Sequence, residues 1–176
     1  MSYMKNKVPT ERKAELNTPL GKIVIRKFIP SDLEAVIKIN RSCLPENYPP
    51  YFFMQHYREF PEAFLVAELN GEVVGYVMCR VEYGISNLKP SLSKKGHIIS
   101  IAVVPEVRRK KVGETLMKLA MQALRDIYNV SEYYLEVRVS NTPAINLYHK
   151  LGYKEIKRII GYYLDGEDAW LMARPA

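Results

Sequence analysis

Cysteine is almost missing. The 176 residues hold two, Cys43 and Cys79, in no CxxC pair and beside no Cys/His cluster. That removes a disulfide framework and a cysteine-based zinc site as organising features, and makes reduced cytosolic thiols the default. Glycine and proline number only 9 and 11, too few for a low-complexity or collagen-like chain. No apolar run approaches the roughly 18 residues of a membrane span. The N-terminus has no apolar h-region, so a secretory signal is not expected and a cytoplasmic protein without membrane contact is. What remains is 48% hydrophobic and 26% charged residues, a globular composition at a length that favours one domain with a real core.

The formal charge of +7 is unevenly spread. Residues 1–30 hold Lys5, Lys7, Arg12, Lys13, Lys22, Arg26 and Lys27 against only Glu11 and Glu15. The rest of the chain is near neutral. Residues 1–21 therefore read as a flexible basic extension, and residues 22–176 as the domain. Such an arm is a candidate for contact with RNA or the ribosome through phosphate charge, with no specific nucleic-acid site implied.

Ile23–Phe28 reads as a first strand that Pro30 ends. Ser31 and Glu34 fit a capping box opening a helix, which stops before the three-proline loop Leu44-Pro45-Glu46-Asn47-Tyr48-Pro49-Pro50. A short aromatic helix follows, about Tyr51 to Phe60. Phe64–Leu69 and Val73–Glu82 flank Asn70-Gly71 as a β-hairpin with a type I′ turn. Gly84 to Lys95 reads as a polar loop. His97–Val104 is a strongly apolar strand closed by Pro105. It leads through Arg108-Arg109-Lys110-Lys111 into a helix with Leu116, Leu119, Ala120, Ala123 and Leu124 at helical spacing. Tyr133–Val139 is a strand, Pro143 suits the first turn of another helix, and Gly152 suits its end. Tyr153–Ile160 and Asp168–Met172 form a last hairpin. The order β-α-α-β-β-β-α-β-α-β-β predicts a mixed α/β fold: a twisted sheet of about seven strands flanked by about four helices.

The segment from His97 to Gly113 carries the most chemistry. A buried strand runs into a basic turn that opens a helix. Helix-start amides with Arg and Lys form an anion site, and Gly113 lets a ligand approach the backbone. A solvated basic turn on an unrelated α/β protein is the competing reading.

Arg108 and Gly113 take the first and last positions of [QR]-x-x-G-x-[GA], and in this the segment resembles the GNAT acetyltransferases. Lys111 replaces the middle glycine; a Lys there can donate its own backbone amide if its φ is negative. The resemblance spans about residues 23–173. Ser140–Tyr153 is similar to the later GNAT segment in which an Asn and a Tyr face the cofactor. Leu44–Pro49 and Gly161–Ala169 resemble the archaeal relatives of the NatA catalytic subunit, which acetylate protein N-termini.

The resemblance implies acetyl-CoA bound between His97–Val104 and Tyr133–Val139. Ile101, Ala102 and Val103 would offer backbone groups to its acetyl and pantetheine parts. Arg108 and the amides of Arg109, Lys110, Lys111, Val112, Gly113 and Glu114 would hold the pyrophosphate. Asn141 would hydrogen-bond the cofactor, and Tyr148 would protonate the departing thiolate. The substrates implied are protein N-termini or nascent peptides starting with Ser, Ala, Thr, Gly or Met. The attacking α-amine must be neutral, and its reference pKa of about 7.7–8.0 needs only a modest base.

Glu46, His97 and Glu136 are the base candidates, sharing proton removal through water. Tyr48, Tyr162 and Tyr163, with Glu46, would clamp an extended peptide. No metal is required, although His97 and Glu136 could catch one adventitiously. A lysine or small-amine acetyltransferase of the same fold, and a noncatalytic CoA-binding or ribosome-docking module, stay open as alternatives.

Overall fold

Continuous apolar runs, as at residues 64–67 and 76–79, supply a central sheet that can be buried on both faces. The computed structural model describes residues 12–176. Strands β1 (Arg12–Thr18), β2 (Gly21–Lys27), β3 (Phe64–Leu69), β4 (Glu72–Ile85), β5 (Leu92–Val103), β6 (Glu132–Arg138), β7 (Lys154–Ile159) and β8 (Ala169–Pro175) form one sheet. Its order is β1-β2-β3-β4-β5-β6-β8-β7. Every neighbouring pair is antiparallel except β5 and β6. Helices α1 (Leu33–Cys43), α2 (Pro50–Glu59), α3 (Val112–Asp126) and α4 (Thr142–Lys150) complete the fold. None among the described residues is long and apolar enough to cross a membrane.

The two sheet faces follow from alternation within the strands. In β3, Leu65 and Ala67 enter the core covered by α3 and α4, together with Val77, Cys79, Leu116, Met117, Ala120, Leu124 and Tyr148. Phe64 and Val66 point the other way, to Val36, Ile39, Phe53, Tyr76 and Met78 beneath α1 and α2. Asn70 and Gly71 adopt φ values of 51° and 82°, as the expected type I′ turn between β3 and β4 requires.

Three expectations need correction. The domain does not start at residue 22: residues 12–18 pair with β2 as an edge strand, with Ala14 and Leu16 against the core. Two small apolar positions among charged ones are a weak alternation signal, because only one face of this edge strand is covered. Residues 1–11 of the proposed arm lie outside the described residues. The Gly84–Lys95 loop is largely strand, since β4 and β5 pair as far as Ile85↔Leu92. The Ser31/Glu34 capping box is not made. Asp32 accepts the amide of Ile29 at 2.9 Å and both Nη atoms of buried Arg26 at 2.7 and 2.9 Å, so the turn before α1 is organised by a buried ion pair.

Candidate active site

The one parallel pairing opens the site. β5 and β6 are in register only at Lys95↔Glu132, Gly96↔Tyr133 and His97↔Tyr134. Just beyond, Ile99 is an extra residue of β5 between the pairs Cys79↔Ile98 and Met78↔Ser100, and a bulge of this kind bends its strand. Past it the strands part around a cavity of about 610 Å³, whose walls include Ile99 and Ile101 from β5 and Leu135 and Glu136 from β6.

At the closed end of the gap, side chains from three strands meet on one face. Arg80 pairs with His97 and His97 with Tyr134 across the sheet; Glu82 and Glu136 stand two residues further along their own strands, hence on the same face. His97 Nε2 lies 2.7 Å from Glu136 Oε2, and Nδ1 lies 2.9 Å from Glu82 Oε2. The imidazole is buried, which by itself disfavours its charge. The bonds to Glu136 and Glu82 outweigh burial and raise its pKa. Both ring nitrogens face carboxylates, so neither offers a lone pair to a metal. The expected meeting of His97 and Glu136 is observed.

Glu46 sits elsewhere than expected of a free base. Its Oε1 accepts Nη2 and Nε of Arg138 at 2.6 and 3.1 Å. The same guanidinium reaches Asp165 at 2.8 and 3.1 Å and Glu167 at 2.8 Å, and lies 4.1 Å over the Tyr163 ring. Arg138 thus ties the α1–α2 loop to the β7–β8 loop across the mouth of the cleft. Tyr48 stacks on Phe52 at 4.5 Å and directs its hydroxyl to Ile99 O at 3.5 Å. Tyr162 and Tyr163 stand edge-to-face at 4.9 Å. Burial pushes Tyr162 up to about 12 and raises Tyr48, so these phenols stay neutral donors at working pH. Beneath the mouth, fully buried Asn40 donates to Glu46 O at 3.0 Å and accepts the Tyr48 amide at 3.3 Å, fixing the loop from below.

Beyond the end of β5, the basic turn enters α3 through two left-handed residues, Arg109 (φ 62°) and Lys111 (φ 64°). The condition set for Lys111, a negative φ, is not met. Lys111 adopts the conformation that favours glycine, at a cost of roughly 1–2 kcal/mol. Left-handed residues between ordinary ones aim successive amides into one concavity, an anion nest at a helix N-terminus. A Cβ on Gly113 would meet Leu147 and Val103 at 3.8 and 3.9 Å, ordinary contact. The Arg108 side chain turns back instead, its Nε donating to Val103 O at 2.9 Å. The Glu114 carboxylate joins α3 to α4 through Lys150 at 3.1 Å and also pairs with Lys118 of its own helix at 3.1 Å.

Asn141 lines the cavity and also caps α4, its Oδ1 accepting Ala144 N at 3.4 Å. Tyr148 is buried at the cavity wall, and burial pushes it up to about 12. Cys43 also lines the cavity, half-buried, whereas Cys79 is in the core. Arg138, Glu82 and Asn40 were not among the expected site residues. The only sequence trace of them is a polar residue in an apolar-periodic strand or helix, which does not say which loop it will meet.

The acetyltransferase (GNAT) family matches residues 33–153. The chain belongs to the GNAT acetyltransferase family. Among its relatives, an N-alpha-acetyltransferase of Sulfurisphaera tokodaii is 58% identical over 153 residues, which is 86% of this chain and 92% of that one. The NAA10 catalytic subunit of the N-terminal acetyltransferase A complex of Arabidopsis thaliana is 38% identical, over 86% of this chain and 77% of its own. The crystal structure of Ard1 from Thermoplasma volcanium superposes with a TM-score of 0.76 at 32% identity, covering 88% of this chain and 97% of that one. A GNAT acetyltransferase uses acetyl-CoA.

Proposed function

We infer that the protein transfers acetyl from acetyl-CoA to the N-terminal α-amino group of proteins. One observation carries the reading: the cavity between the parted strands has a paired histidine and carboxylate in its wall and two tyrosine-bearing loops latched together at its mouth, and one of those strands leads directly into the basic turn that opens α3. The relatives named as N-alpha-acetyltransferases agree with it.

Acetyl-CoA supplies a thioester carbonyl. The amides from Arg109 to Glu114 bind its pyrophosphate, and the backbone of Ile101 to Val103 lies along its acyl arm, where a fixed strand amide stabilises charge developing on the carbonyl oxygen. Tyr48, Tyr162 and Tyr163 hold the peptide end with Glu46 in place as Arg138's partner. Glu136 takes the amine proton, directly or through water, oriented by His97. Tyr148 stays protonated and can give its proton to the leaving thiolate. Because Arg138 joins the two loops over the mouth, the cleft receives a chain end better than a lysine flanked by chain on both sides. The substrates proposed are N-termini that begin with Ser, Ala, Thr, Gly or Met.

An acetyl-CoA turnover assay over peptides with free N-termini, with a lysine peptide blocked at its N-terminus as control, tests the reading. Turnover of the free N-termini alone supports it. Preferred turnover of the blocked lysine peptide makes the enzyme a lysine acetyltransferase, and cofactor binding without turnover makes the protein a noncatalytic module.

Two substitutions check the cofactor end. Asn141→Asp keeps the α4 cap but loses the amide donor. Calorimetry should show weaker acetyl-CoA binding by the worth of one hydrogen bond, about 0.5–1.5 kcal/mol, with Tm unchanged. Asn141→Ala should in addition lose about 0.5–2 kcal/mol of stability with the cap. Wild-type affinity in the Asp variant would reduce Asn141 to a cap. Lys111→Gly should relieve the left-handed strain and raise Tm by a few degrees. It should weaken acetyl-CoA by no more than about fivefold, the worth of one exposed charge at 0.2–1 kcal/mol. A larger loss would mean that the Lys111 charge, not its amide, holds the cofactor.

A further inference from the structure

The base pair His97–Glu136 has a third member that the proposed mechanism does not use. Glu82 spends both oxygens inside the cluster. Oε2 accepts from His97 Nδ1 at 2.9 Å and from Arg80 Nε, and Oε1 accepts from the Tyr134 hydroxyl. The Tyr134 ring lies against the imidazole at 4.0 Å and 18°, so it fixes the ring plane while its hydroxyl fixes the carboxylate. The groups facing His97 come from every packed element: Glu82 and Arg80 from β4, Tyr134 and Glu136 from β6, and His56 from α2.

We propose that Glu82 is a positioning residue, which holds His97 as an imidazolium with both N–H groups committed, so that His97 fixes Glu136 Oε2 and leaves Oε1 to receive the amine proton. A neutral imidazole has one donor and one acceptor nitrogen. Between two carboxylates it would point a lone pair at one of them. A second proton turns that repulsion into a charge-assisted bond at 2.7–2.9 Å. Glu82 is suited to the part because it stays ionised. Burial favours its neutral form, but the bonds from His97, Tyr134 and Arg80 outweigh burial and hold it well below the usual carboxylate range. His97 is then not a base in the resting site. The proton leaves the α-ammonium for Glu136 Oε1, whose direction the imidazolium fixes through its bond to Oε2.

The inference rests on the acetyltransfer reading, and the test has an arm that does not. Histidine-ring NMR titrates the protein's three imidazoles, with His97→Ala assigning the signal. In the wild type both His97 ring nitrogens should be protonated at pH 7. In Glu82→Gln, which keeps the size and an acceptor for Tyr134 but removes the charge, the His97 pKa should fall by about one unit or more, the sign expected when a contacting anion is lost. The peptide kcat at pH 7 should fall about tenfold, with peptide KM and acetyl-CoA affinity held within about twofold, because the Glu136 carboxylate loses the orientation that aims Oε1 at the amine.

A neutral His97 in the wild type at pH 7, an unmoved His97 pKa in Glu82→Gln, or a moved pKa with unchanged kcat each overturns the proposal. Should Glu82→Gln not fold, the wild-type protonation state still decides. If the wild type acetylates no peptide while the NMR results hold, the functional reading fails and the relay geometry stands.

Discussion

Glu136→Gln should lower kcat by about 10²–10⁴-fold at pH 7, the usual contribution of a positioned base, with acetyl-CoA affinity unchanged. Gln keeps the length and can still meet His97, but it cannot take a proton. The loss should shrink as pH rises past the α-amine's own pKa of about 7.7–8.0, because solvent then delivers the amine already neutral. A pH–rate profile on one Ser-starting peptide is the measurement. A loss that stays constant to high pH would mean that Glu136 places the peptide rather than accepting its proton. Glu46→Gln should behave differently. Glu46 serves Arg138, so its loss should raise peptide KM more than it lowers kcat.

Arg138→Met should raise peptide KM by tenfold or more. Its guanidinium is the shared counter-charge of Glu46, Asp165 and Glu167, and charge-assisted hydrogen bonds contribute about 1.5–3 kcal/mol each. Without it, three carboxylates from two loops confront one another at the mouth, and the Tyr163 ring loses the cation lying on it. Acetyl-CoA binding should not change, since the amides proposed to hold its pyrophosphate belong to the turn before α3 and not to the two latched loops. Arg138→Lys should recover only part of the effect, because an ammonium cannot match several carboxylates in the planar way a guanidinium does. Steady-state kinetics with calorimetry on acetyl-CoA separate the two ends. Equal losses in both would show that Arg138 supports the whole fold and is not a latch at the mouth.

The sequence by itself determined what depends on neighbours along the chain. The Asn70-Gly71 turn, the apolar alternation of β3 and β4, the helical stripe of α3, and Pro143 at the start of α4 are local patterns, and each came out as the element its spacing demanded. So did the basic turn between a buried strand and a helix start, although the φ of Lys111 did not. Backbone conformation inside a turn answers to the helix and strand it must join, and they can impose a left-handed residue where the side chain disfavours it.

Tertiary structure decided everything that depends on register. Glu82, His97 and Glu136 form one cluster only because β4, β5 and β6 align Arg80 with His97 and His97 with Tyr134; a slip of one residue would send the three to opposite faces. Glu46, Arg138 and Asp165 meet across separations of 92 and 27 residues, a distance over which residue type carries no record of its partner. That is why Glu46 reads as a free base in the sequence and is a latched carboxylate in the fold.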